Sequence, residues 1–203
     1  MKTVLSTLAA ALIVIVTAAL WIIWSGGFDV ATTWQDPPLW AWALTTAREQ
    51  SIARRSAGIE APDLVDNAMI ERGFRSYRDM CSGCHGTPGG TASALAQGLN
   101  PPPPDLSESE HSESAQRVFW VLQNGIRMTG MPGWGVTHDD QSLWEIVAFV
   151  RTLPGMTAAQ YQALDSKLPP GHVHSHGHDN DHDHQADAGE SLSPAETEMH
   201  HTH

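Results

Sequence analysis

The chain is poor in cysteine. Cys81 and Cys84 are the only two. A zinc site built from four cysteines of one chain is therefore excluded. Basic residues are scarce as well: 11 Lys and Arg face 23 Asp and Glu, a formal net charge of -12 at pH 7. That balance argues against nucleic acid as a partner. Long apolar runs are rare too, and the conspicuous one lies at the N-terminus. No substrate-binding triad and no second metal site stand out in the central part of the chain.

What is there is concentrated in residues 81–85, Cys-Ser-Gly-Cys-His. Three readings compete for a Cys-x-x-Cys pair. A dithiol redox pair expects a βαβ context, whereas the flanking sequence reads as helical. Half of a zinc site needs two further ligands at matching spacing. Attachment of a c-type haem uses the cysteines and the following histidine together. Cys81 and Cys84 can form thioethers to the two haem vinyl groups, and His85 then sits under the iron as proximal ligand. Ser82 and Gly83 are small enough for a tight turn beside a porphyrin edge. The haem reading is favoured.

Downstream runs Asn124-Gly-Ile-Arg-Met-Thr-Gly-Met-Pro-Gly-Trp-Gly135. Together with Cys-x-x-Cys-His, this resembles a bacterial class I cytochrome c, in particular the membrane-anchored single-haem subgroup. The resemblance covers roughly residues 35–168. It implies that Met131, the methionine of the Met-Pro motif, is the distal ligand. A thioether is a soft ligand that favours Fe(II) and raises the potential. Met131 as ordinary core filler and Met128 as the ligand remain the alternatives. The resemblance further implies that the first and last helices of the haem domain cross, here with Gly73 and Tyr77 against Trp144 and Val147. It also implies that a proline-containing loop supplies a carbonyl to the free nitrogen of His85. One carbonyl near residues 100–103 is expected to provide it, with a rigid surface loop as the alternative. One departure is Gly133, where the motif often has alanine; it is expected to loosen the ligand loop. Arg127 could hydrogen-bond a propionate, with a surface arginine as the default.

The apolar run extends from about Val4 to Trp24, long enough to span a bilayer as a helix. A cleaved signal peptide would have a shorter apolar region and a small-residue cleavage site. An uncleaved anchor is favoured, with Lys2 on the cytoplasmic side. Trp34, Trp40 and Trp42 follow; they read either as interfacial anchors or as packing against the haem domain. Helices are expected at 39–58, 66–80, 114–124, 140–153 and 157–166 from apolar spacing and terminators such as Gly125 and Pro154.

The tail carries His172, His174, His176, His178, His182 and His184 among aspartates. Such a segment is expected to be disordered. Its imidazoles suit Cu, Zn or Ni; a merely solvating tail is the alternative. Seven acidic and no basic residues lie from 171 onward, so the tail contributes more charge than the central domain.

The fold expected is all-α: a transmembrane anchor at 1–24, a juxtamembrane linker and helix at 25–60, a cytochrome c-like haem domain at 61–170 and a disordered His/Asp-rich tail at 171–203. The function expected is one-electron transfer through one covalent haem c, ligated by His85 and Met131. By this reading the protein is a single-pass protein of the bacterial inner membrane with its haem domain in the periplasm. It serves membrane respiratory or dehydrogenase complexes and is not itself an enzyme. A haem enzyme with an open distal site and a metal-handling protein working through its tail are the other readings.

Overall fold

The computed structural model describes residues 1–27, 29–108 and 113–169. The expectations for the tail, including metal binding by His172 to His184, lie outside these residues. Among the described residues every regular element is helical.

Helix α1, Lys2–Ser25, coincides with the apolar run. Its 24 residues rise about 36 Å, enough to cross a hydrocarbon layer of about 30 Å. None of its residues is buried against the rest of the protein. The hydroxyls of Ser6 and Thr7 donate to the carbonyls of Lys2 and Thr3, so these polar groups are satisfied within the helix.

Helix α2, Pro38–Ser56, starts with a proline in its first turn, where the missing N–H costs no helical bond. Its C-terminal half lies on α6, Ala115–Asn124. Ile52 and Ser56 are buried there, and Glu49 pairs with Arg117, which also pairs with Glu113. The N-terminal half is bare: Trp40 and Trp42 are 63% and 65% exposed. Packing against the haem domain therefore does not describe these two indoles. Trp34 is less exposed, and its carbonyl accepts a 3.1 Å bond from Asn100 Nδ2.

The core is the crossing of α3, Asn67–Ser76, with α7, Asp140–Val150. Gly73 sits so close to α7 that a Cβ there would lie 1.8 Å from the Glu145 carbonyl oxygen. This differs from the expected register. The closest approach is Gly73 on Glu145 and Phe149, while Trp144 stacks on Phe119, with centroids 4.1 Å apart. The small residue chooses the point of closest approach, and the large indole takes the neighbouring space. Phe74 meets Phe149 and Tyr161 edge-on at 5.2 Å; each such pair is worth about 0.5–1.5 kcal/mol beyond burial. Tyr161 comes from α8, Ala158–Asp165, which begins with a capping box of Thr157 and Gln160. Between α3 and α6 lie the short helices α4, Ser82–His85, and α5, Ala94–Gln97.

Asp139 caps α7 by accepting the Ser142 N–H at 2.8 Å. The Ser142 hydroxyl, then its backbone N–H, holds the Asp139 carboxyl below its ordinary pKa. A depressed folded pKa stabilises above the ordinary aspartate value, and the contribution is lost as pH falls through the folded one. Asp139→Ala is thus expected to lower the melting temperature at neutral pH, with the deficit shrinking in acid. Asp139→Asn, which keeps an accepting oxygen, should retain the cap at both ends of a thermal titration.

Candidate haem-attachment site

The motif follows α3 through a widened π-helical turn, Tyr77–Cys81. Such one-turn expansions often mark functional positions. Here it carries the chain from the α3–α7 crossing into α4, which holds Cys84 and His85. Two hydroxyls brace the segment: Ser82 Oγ donates to the Arg78 carbonyl at 2.7 Å, and Ser93 Oγ donates to the Gly83 carbonyl. At Gly86 the helix ends with φ +74°, a value that favours glycine. The buried Tyr77 hydroxyl donates to the Gly86 carbonyl at 2.8 Å. The end of the motif is thereby tied to the core two turns earlier. The resemblance places Tyr77 only in the helix crossing. Burial pushes its phenol far above the usual tyrosine range, so it stays a neutral donor.

Both thiols are free. Cys81 is buried, and burial, with Cys84 beside it, pushes its thiol up to about 12. Among the described residues no three His, Cys, Asp or Glu side chains gather to hold a metal ion.

His85 is half-buried, and its Nδ1 lies 2.9 Å from the Pro104 carbonyl oxygen. A carbonyl can only accept, so Nδ1 carries the proton and donates. Nε2 keeps its lone pair. Burial lowers the imidazole pKa, while the Pro104 bond and then Asp105 oppose the shift. The proline loop does supply the carbonyl, and the residue is Pro104, next to the expected stretch. In a run of four prolines every residue offers a carbonyl and no amide, so only the path of the loop selects one.

The second loop closes on itself. Ile126 N–H donates to the Met131 carbonyl at 3.1 Å. Thr129 Oγ1 donates to the Ile126 carbonyl at 2.7 Å and accepts from Met131 N–H at 3.1 Å. Both backbone groups of Met131 are thus engaged, and its half-buried side chain packs on the core. Met128 stands at the tip with φ 61°, its side chain 73% exposed. Gly133 does not loosen this loop. A Cβ there would lie 2.8 Å from both C and O of Asn124, so the glycine lets the loop close onto the end of α6. Trp134 packs on the core, and Arg127 is exposed.

The fold and site fit a class I c-type cytochrome domain, and the family comparison supports it. Residues 68–150 match the family model described as cytochrome c oxidase, cbb3-type, subunit III. A domain of this class carries haem c and transfers electrons. A comparison with curated proteins finds no match.

Proposed function

We propose that this chain is a membrane-anchored, single-haem electron carrier. Cys81 and Cys84 hold the haem covalently, and His85 and Met131 ligate its iron. The observation that carries the reading is the Nδ1–Pro104 bond of His85, which leaves Nε2 as the free donor nitrogen of a half-buried, neutral imidazole. The donor set fits haem c: two free thiols at the right spacing, that imidazole, and a thioether in a hydrogen-bonded loop. When bound, the haem supplies one-electron Fe(III)/Fe(II) chemistry. The protein contributes the rest. Pro104 fixes the ring of His85, and Thr129 holds the backbone of Met131.

In this reading α1 is an uncleaved anchor in the bacterial inner membrane and the haem domain, near residues 61–170, faces the periplasm. Partners are membrane respiratory or dehydrogenase complexes. The cbb3-type match supports a respiratory setting, and the protein serves as carrier or complex subunit rather than as enzyme.

The test is an optical spectrum of the full chain made in a host competent for cytochrome c maturation, with a denaturing-gel haem stain. Covalent haem, a sulfur-to-iron charge-transfer band and no response of the reduced form to carbon monoxide are expected. Ready carbon monoxide binding would instead favour an open-site enzyme or sensor. Absence of covalent haem would return Cys81 and Cys84 to thiol chemistry.

A further inference from the structure

The bare half of α2 has an unusual surface. From Pro37 to Ala47 there is no charged side chain. Helical spacing continues the stripe that Glu49, Ile52 and Ser56 lay on α6 back through Thr45 to Trp42 and Pro38. Trp42 runs past the cover that α6 provides and is 65% exposed; Leu39, on the flank of the helix, is 72% exposed. Trp40 and Leu44 lie on the opposite side of the same turns and are also exposed, at 63% and 45%. The segment Pro38–Leu44 is therefore apolar all round rather than on one stripe, and the exposed hydroxyls of Thr45 and Thr46 follow it. A protein groove covers one stripe of a helix; a helix apolar on every side is suited to a medium that surrounds it.

Position supplies that medium. Only the twelve residues 26–37 separate α1 from α2, and fully extended they reach about 40 Å. They are not fully extended: Trp34 N–H turns back to the Ala31 carbonyl, and the Trp34 carbonyl is held by Asn100. If α1 crosses the bilayer, the indoles of α2 are kept close to its surface, where tryptophan is favoured. Past Ala47 the helix becomes charged, with Arg54 and Arg55 exposed in its last turn.

We infer that Pro38–Ala47 is embedded in the membrane interface, among lipid headgroups and upper acyl chains. The second half of α2 is packed on α6, so this contact sets the haem domain's orientation to the membrane rather than leaving it on a loose tether. The inference rests on the reading of α1 as a span, and one experiment separates the two. The photoreactive residue p-benzoylphenylalanine is placed in the full chain, in native membranes, at Trp40, at Trp42, at Ile13 of α1, and at exposed Gln162 of α8 as background. Irradiated adducts are identified by mass spectrometry. Phospholipid adducts at 40, 42 and 13, several-fold above the yield at 162, are expected. Lipid adducts at 13 with background yield or protein adducts at 40 and 42 would overturn the interfacial contact and leave the anchor standing. Background yield at 13 as well would overturn both.

Discussion

Gly73→Ala is expected to cost the protein about 3 kcal/mol or more, at the upper end of what overpacking usually costs. The added Cβ would stand 1.8 Å from the oxygen and 2.5 Å from the carbon of the Glu145 carbonyl, and 3.0 Å from Phe149 Cβ. The first two obstacles are backbone in the middle of α7, so no rotamer change relieves them. Relief requires α3 and α7 to separate. Separation would disturb the ring contacts of Phe74 and Tyr77 with Phe149, both at 5.2 Å, and the 2.7 Å Arg72–Glu145 pair. Against a typical total of about 5–15 kcal/mol, such a loss leaves little. Denaturant unfolding of the haem-loaded protein measures it, and a fall in covalently loaded yield should accompany it. Gly58→Ala is the control: a Cβ there meets nothing within 4 Å, and a near-neutral result is expected. A Gly73→Ala protein as stable as wild type would mean that the helices do not cross at this point.

The second large effect concerns the two methionines of the 124–135 loop. On the proposed ligation, Met131→Ala should lower the midpoint potential by on the order of 0.1 V, within the about 0.8 V range that axial ligands span. It should also let the reduced protein bind carbon monoxide. Met128→Ala should change neither. The distinction follows from the loop. Met131 has its N–H on Thr129 and its carbonyl on Ile126, and its side chain faces the core. Met128 occupies a left-handed turn with its side chain in solvent. Potentiometric titration and carbon monoxide difference spectra of both variants decide the matter. The low-potential, carbon monoxide-binding phenotype in Met128→Ala rather than Met131→Ala would reassign the ligand. Its absence from both would remove methionine from the iron.

Much of this was legible in the amino-acid order because it is local. The apolar run of α1, the Gly125 terminator and the Cys-Ser-Gly-Cys-His spacing each depend on residues a few positions apart. The all-helical class follows from the same periodicities. What depended on distant segments was read less well. Which proline carbonyl meets His85, and which turn of α7 meets Gly73, are set by how loops and helices pack across tens of residues. Pattern alone allows neighbouring registers of nearly equal merit; in the folded chain the small residue takes the close approach and the bulky ring is displaced. Gly133 was misread for the same reason, since a glycine looks flexible in sequence and is tightly enclosed by Asn124 in space. Tyr77 had no sequence signal for its hydroxyl, because Gly86 comes within reach only after the π-turn and α4 bend the chain back. Chemical identity was thus determined by short-range order: two thiols, an imidazole and a thioether in a helical chain. Only the tertiary structure decided how those groups are held, because a hydrogen bond such as His85 to Pro104 exists only once separate segments have been brought within 3 Å.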